Sequence, residues 1–310
     1  MKILIYGAGA MGASLGAMLT KGGVDCTLVT RNVRSVFAFS REGVTLVNGT
    51  HRETIPVNVL LPHEMVGEYD LVFLATKQRE NETLAPFLAH YLASDGALVT
   101  VQNGLPERSL AKVFGADRVY GAALAWGAEQ TGEGEIALTS QGGFRLALGA
   151  YGRGARISEI RDLLKRAAVV ETGNLLEIRY SKLAINATFS TLSLLYRCSY
   201  GEVVKKHRGE AMKLLKEVFA VAKAAGVKRL PLNGHNLYKV FGLFGRMLMP
   251  VAMKKYYDIR SGMLKDFEAG RRTDIDFVAG AVVAEGERLR VPTPHFKKIL
   301  GLIHEAEESR

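Results

Sequence analysis

"KILIYGAGAMGASLGAMLTKGGVDCTLVTRN", residues 2 to 32, decides how this chain begins to fold. A short β-rich run, "KILIY", passes directly into "GAGAMG" at 7 to 12, which opens a helical pattern, "AMGASLGAMLTKGG", before a second β-rich run at 25 to 30. Each glycine has a physical task. Gly7 allows a tight turn, Gly9 lets backbone approach a pyrophosphate, and Gly12 lets the helix pack closely on the strand. The pyrophosphate would rest on the positive end of that helix. An overlapping GxSxG pattern, Gly12 to Gly16, would need Ser14 on the sharp strand-to-helix turn. Ser14 falls inside the helix instead, so the hydrolase reading is set aside.

Working outward, "YDLVFLAT" (69 to 76) and "ALVTVQ" (97 to 102) repeat the pattern of nearly continuous apolar runs separated by helical stretches. Strands of that kind belong to a parallel sheet covered on both faces. β-type segments follow at 118 to 126, 134 to 139 and 144 to 149, and the turn-rich "EQTGEGE" between the first two suggests an antiparallel excursion at the sheet edge. From about Asn174 the apolar residues recur at helical spacing, as in "RGEAMKLLKEVFAVAKAAG" and "DIDFVAGAVVAEGERL". The expected fold is α/β. A doubly wound parallel sheet over residues 1 to 173 would bind the dinucleotide, and an all-α domain over 174 to 310 would carry substrate and catalytic groups.

Composition agrees with two globular domains: 310 residues, 48% hydrophobic and 23% charged, with 8 prolines. Charge-free runs such as 183 to 196 fall short of the roughly 18 residues a spanning helix needs, so a cytoplasmic chain without a membrane anchor is expected. Cys26 and Cys198 fit neither a disulfide framework nor metal-ligand spacing, and no metal is expected. The net charge of +10 favours anionic ligands. Its basic clusters are short and scattered, as solvated helix faces are, which argues against a nucleic-acid surface.

The end of the second strand bears on which dinucleotide is bound. NAD sites place an acid there for the ribose hydroxyls, whereas this chain has Thr30, Arg31 and Asn32, with Arg34 close behind. A planar guanidinium suits a dianionic 2′-phosphate, so Arg31, with Arg34 as support, favours NADP.

"SKLAINATFSTLSLL", 181 to 195, carries a single charge, Lys182. On a regular helix Lys182, Asn186 and Ser193 lie within roughly 40° of one another and Ser190 within about 80° of the lysine. One reading is a snorkelling lysine near a helix start, with the other polar groups bonded to local backbone. Next to a dinucleotide domain, the stripe reads instead as facing the cofactor. A partly desolvated ammonium can polarise a carbonyl and protonate the alkoxide left by hydride transfer, with Asn186 to orient it or the substrate.

These residues resemble the ketopantoate reductases, within the wider group of 6-phosphogluconate-dehydrogenase-like enzymes that join a Rossmann domain to a helical one. The resemblance spans nearly the whole chain. Its markers are "GAGAMG", Arg31, "ATK" ending at Lys77, "QNG" at 102 to 104, "SKLAINA" at 181 to 187 and "SGMLKDFEAGRRTDIDFVAG" at 261 to 280. It implies NADPH-dependent reduction of 2-dehydropantoate (ketopantoate), a 2-keto acid, to pantoate. Lys182 would be the proton donor, in a catalytic set with Asn103 beside the nicotinamide and with Asp274. Substrate contacts would come from Asn186, Ser190 and Ser261. The cofactor would be held by Gly7, Ala8, Gly9, Ala10, Met11, Gly12, Arg31, Lys77 and Asn103.

Three positions depart from the family pattern. Asp274 stands where a glutamate is usual, Ser190 where a second asparagine is common, and Gly262 where a serine is common, leaving Ser261 as the nearest hydroxyl. Groups that recognise the substrate are altered while the hydride and proton apparatus is kept. Another 2-keto or 3-hydroxy acid is therefore a second reading, and a non-catalytic NADPH-binding sensor a third. The apolar stretch 240 to 253 fits equally a homodimer interface, the domain core or the substrate mouth.

Overall fold

The structure, a computed structural model, describes all residues except 141, 233, 243 and 310. It divides into two compact units: Met1–Gln102 with Pro106–Leu175, and Asn103–Leu105 with Leu176–Arg310.

In the first unit the strands are β1 (Ile3–Tyr6), β2 (Cys26–Val29), β3 (Val44–Asn48), β4 (His51–Ile55), β5 (Asn58–Leu60), β6 (Tyr69–Leu74), β7 (Leu92–Thr100), β8 (Val119–Leu124), β9 (Ala128–Gly132), β10 (Glu135–Leu138), β11 (Arg145–Ala150) and β12 (Val169–Thr172). Its helices are α1 (Ala10–Lys21), α2 (Val33–Glu42), α3 (Asn81–Ala89), α4 (Glu107–Phe114) and α5 (Ile157–Leu164). Eight strands form one sheet in the order β12-β11-β8-β7-β6-β1-β2-β5. From β5 to β8 every pairing is parallel. Taken from β5, that run has the doubly wound order 3-2-1-4-5-6, which reverses direction at β1.

Alternate residues of β1 explain why its apolar pattern is continuous. Ile3 and Ile5 pack into the core on one face of the sheet, Leu4 and Tyr6 into the core on the other. Fully burying one such aliphatic side chain contributes about 1.5–3 kcal/mol, and no polar residue could take either position at that gain. The registers Tyr6↔Val29 and Tyr6↔Leu74 bring the ends of β2 and β6 level with the end of β1. The three loops that follow therefore leave the same edge of the sheet.

The hairpin around "EQTGEGE" is antiparallel, but it does not extend the main sheet. β9 and β10 join β3 and β4 in a separate four-stranded sheet, β4-β3-β10-β9, through a parallel β3–β10 pairing. The antiparallel addition to the main sheet is β11, which pairs with β8 and carries β12 beyond it. Strand pairing across about ninety residues, as between β3 and β10, leaves no local mark on the sequence.

Among its described residues the second unit is mainly helical, with one short antiparallel strand pair, β13 (Pro231–Leu232) and β14 (His235–Asn236). It contains α6 (Leu175–Ile185), a π-helical turn (Asn186–Ser190), α7 (Thr191–Tyr196), α8 (Tyr200–Lys206), α9 (Arg208–Ala224), α10 (Leu237–Val240), α11 (Gly245–Met253), α12 (Gly262–Glu268), α13 (Ile275–Leu289) and α14 (Pro294–Glu308). One continuous core joins α6 through α14, including Phe189, Leu215, Val218, Met249 and Phe296. Helix starts follow local chemistry: Ser199 and Glu202 form a reciprocal capping box on α8, and Pro294 opens α14. Helix α11 splits its apolar stretch, burying Met249 and Met253 while Met247 and Val251 stay exposed. Among the described residues no helix is long and apolar enough to cross a membrane.

Candidate active site

The glycine loop is shaped by what its backbone must avoid. Gly7 has φ +105°, and a Cβ there would lie 2.7 Å from the backbone nitrogen of Thr76. At Gly12 a Cβ would lie 2.2 Å from the carbonyl oxygen of Gly7, so the strand–helix turn closes only without a side chain. Gly9 differs, because a Cβ built there meets nothing within 4 Å. Its missing side chain leaves open space beside the first turn of α1. That turn has no side-chain cap and no acidic residue. The amides of Gly7 and Ala8 donate to the Val29 carbonyl and that of Gly9 to the Gly7 carbonyl, so those residues shape the loop, while the uncapped, positive first turn of α1 at Ala10, Met11 and Gly12 and the open space at Gly9 fit a pyrophosphate. Ser14 is fully buried in α1, donating to the Met11 carbonyl at 3.0 Å and accepting from Trp126 Nε1 at 3.1 Å, which is no place for a hydrolytic nucleophile.

Arg31 follows β2, with its guanidinium 69% exposed and 3.3 Å from the Glu80 carboxylate. Arg34, equally open, lies 3.7 Å from Glu133, and Asn32 caps α2 by accepting from the amides of Arg34 and Ser35. Lys77 is exposed in the loop after β6. That loop is tied to the end of β7 by an amide pair. Asn81 Nδ2 donates to Gln102 Oε1 at 3.1 Å, Gln102 Nε2 returns a bond to Asn81 Oδ1 at 2.7 Å, and Thr100 Oγ1 also donates to Gln102 at 3.1 Å. Buried, reciprocal pairs of this kind set loop positions, because breaking either half strands polar atoms away from water. Sequence reading saw Gln102 only as a marker and missed Asn81, twenty-one residues away. Asn103, the next residue, is exposed and groups with the helical unit, where neighbouring Leu105 packs on the core.

Lys182 lies half-buried on α6. Burial, aided by the Arg179 guanidinium three residues earlier, lowers its pKa from 10.5 to about 7. Arg179 is itself only 2% exposed, and it is a group that the stretch beginning at Ser181 did not include. The "IRYSK" spacing, one helical turn between two cations, was the available signal.

The helix does not continue regularly beyond the lysine. Residues Asn186–Ser190 form a π turn, which spreads its residues more widely than an α turn and shifts the later ones around the axis. The single stripe expected from regular helix geometry is thereby broken. Asn186 remains partly exposed at the head of the turn, while Ser190 is buried with its hydroxyl bonded to the Tyr200 hydroxyl. Ser193 donates to the Cys198 carbonyl at 2.6 Å. Ser261, 2% exposed, caps α12 by accepting from the Leu264 amide at 3.0 Å and donates to the Ser190 carbonyl at 3.4 Å. The hydroxyls of Ser190 and Ser261, both expected to contact substrate, thus have hydrogen-bond partners within the helical unit. Asp274 is 8% exposed at the start of α13, a helix that packs against the π turn. Its carboxylate does not cap that helix. Among the described residues no group of three His, Cys, Asp or Glu could hold a metal ion.

A doubly wound sheet with a bare glycine loop at its switch point, followed by a helical unit with a lysine of lowered pKa, defines a dinucleotide-binding oxidoreductase architecture. Residues 3–152 match the family described as Ketopantoate reductase PanE/ApbA, and residues 174–307 match its C-terminal part. The chain belongs to the ketopantoate reductase family of oxidoreductases. Among its relatives, a 2-dehydropantoate 2-reductase of Streptococcus pyogenes is 25% identical over 314 residues, covering 99% of this chain and 98% of the relative. One from Archaeoglobus fulgidus is 26% identical over 309 residues, again covering 99% and 98%. The solved 2-dehydropantoate 2-reductase from Geobacter metallireducens superposes with a TM-score of 0.85 at 26% identity, covering 99% of this chain and 100% of its own. A ternary structure of D-mandelate dehydrogenase with NADH and anilino(oxo)acetate shares the fold, with a TM-score of 0.85 at 23% identity over 100% of this chain and 99% of its own.

Proposed function

We propose that this chain reduces 2-dehydropantoate to pantoate with NADPH, using Lys182 as general acid. The observation that carries the reading is the lysine itself, brought to a pKa of about 7 by burial and by Arg179, on the helix turn that precedes Asn186. A general acid works best when its pKa lies near the working pH. Family membership and the names of the relatives support the substrate.

Bound reduced nicotinamide would supply the hydride. Lys182, as ammonium, would donate a hydrogen bond to the ketone oxygen, stabilise the negative charge growing there and release its proton to the alkoxide. The glycine loop would take the pyrophosphate, Arg31 would pair with the 2′-phosphate, and Lys77 would help hold the cofactor. Asn103 would stand beside the nicotinamide, while Asn186 and Asp274 would orient the substrate hydroxyl and carboxylate.

The test is a panel of 2-keto acids offered with NADPH or NADH while absorbance of the reduced cofactor is followed. Ketopantoate with NADPH should be consumed fastest, and Lys182→Ala should abolish most of the rate. Undiminished turnover in that variant would sink the mechanism.

A second reading keeps the chemistry and changes the acid. A Cβ at Gly262 would meet nothing within 4 Å, and the neighbouring hydroxyls of Ser190 and Ser261 are already bonded, so the pattern of polar contacts differs from that of the family resemblance. The fold relative named for mandelate makes aromatic 2-keto acids the obvious comparison. Faster turnover of one of these than of ketopantoate would replace the substrate while leaving Lys182 in its role.

A further inference from the structure

Glu80 stands beside the group expected to choose the cofactor. β1 lies between β2 and β6, and the level ends of those three strands place Arg31, after β2, and Glu80, after β6, at one edge of the sheet with the glycine loop. Arg31 Nη1 and Glu80 Oε2 are 3.3 Å apart, while the other carboxylate oxygen faces Arg79 Nε at 3.5 Å. Tyr6, at the end of β1, feels both members of the pair, the guanidinium lowering its pKa and the carboxylate raising it after burial.

The two partners favour opposite ligands. A guanidinium selects the dianionic 2′-phosphate of NADPH, whereas a carboxylate accepts hydrogen bonds from the ribose hydroxyls of NADH and repels a phosphate. In this chain the carboxylate also stands against one nitrogen of the guanidinium, Nη1, and competes there with a phosphate. The pair is exposed on the arginine side, and exposed pairs are weak, so a phosphate can displace the glutamate at a cost to affinity.

We propose that Glu80 is a specificity-determining residue that holds Arg31 and accepts the ribose hydroxyl of NADH, so that the chain takes both dinucleotides and the Arg31–Glu80 pair sets the ratio between them. This rests on the reading above only in that a nicotinamide dinucleotide binds at the glycine loop.

The experiment measures dissociation constants for NADPH and NADH from the fluorescence of the reduced nicotinamide, with no keto acid present, for the full chain and for Glu80→Gln and Glu80→Ala. Glu80→Gln keeps the shape and an acceptor oxygen, so NADPH should bind about fivefold more tightly while NADH stays within about twofold. Glu80→Ala should also favour NADPH and should weaken NADH by about tenfold, since it removes the acceptor. Equal shifts for both dinucleotides, or no shift for either, would overturn the proposal. A chain that shows the expected pattern but reduces no 2-keto acid supports the role of Glu80 and rejects the reductase reading. A chain that binds neither dinucleotide rejects both.

Discussion

The glycine loop and the lysine helix are shaped by different parts of the chain. The loop works through backbone: its shape is dictated by close approaches such as the 2.2 Å from a Gly12 Cβ position to the Gly7 carbonyl. The helix works through side chains, and which of them point together depends on a π turn and on partners in distant helices. Backbone requirements are local and leave a fixed spacing of glycines, so they are readable. Side-chain partners are not set by spacing, as the internal hydrogen bonds of Ser190 and Ser261 show.

The sharpest way to break this contrast is Lys182→Ala. kcat/KM for keto-acid reduction should fall by about 10³-fold, while the NADPH dissociation constant, measured by fluorescence, moves less than about threefold. A parallel loss of cofactor affinity would mean that the helix acts through binding as the loop does.

Within the loop, Gly12→Ala and Gly9→Ala should separate shape from contact. The Gly12 methyl would collide with the Gly7 carbonyl, and thermal melting should show a loss of about 1–3 kcal/mol. The Gly9 methyl meets no protein atom, so stability should change by no more than about 1 kcal/mol while dinucleotide affinity drops at least about tenfold. Equal melting losses in the two variants would remove the distinction.

The lysine also makes the helical unit sensitive to pH. Its folded pKa, about 7, is below its ordinary 10.5, so between those values the unfolded chain binds the proton that the folded chain releases. Stability from this group is therefore lowest below about pH 7 and rises with pH toward 10.5. Lys182→Met should flatten that rise in melting temperature against pH. Catalysis runs the other way: with the ammonium as the proposed donor, kcat/KM for reduction should decline as pH rises past about 7. A reductase rate that stays level to pH 9 would assign the proton to another group.

The smallest expected effect is that of Ser261→Ala. Losing the α12 cap should cost about 1 kcal/mol in denaturant unfolding, with KM for the keto acid unchanged within about twofold. A tenfold rise in KM with no loss of stability would make Ser261 a substrate contact.

Much of the first unit was legible because its signals are local. The continuous apolar runs of β1, β6 and β7 mark strands buried on two faces, and "GAGAMG" marks the turn between the first strand and its helix. β3, β4, β5, β9 and β12 went unread, being short, partly exposed and stabilised by pairing rather than by their own pattern. In the second unit the helices were legible from their period and the special character of Lys182 from its isolation. The geometry beyond it was not, since the idealised rotation of 100° per residue has no term for a π turn.

By itself, then, the amino-acid order determined the strand–glycine loop–helix opening, the change from an α/β to a helical region, and the placing of one lysine in an apolar helix. These depend on periodicity and on backbone sterics within a few residues. Tertiary structure alone decided that Lys182 has a pKa near 7, that Ser190 and Ser261 turn inward, that Asn81 locks Gln102, and that Glu80 meets Arg31. Desolvation, hydrogen bonding and charge pairing act between atoms that folding brings together, and chain spacing does not encode those distances.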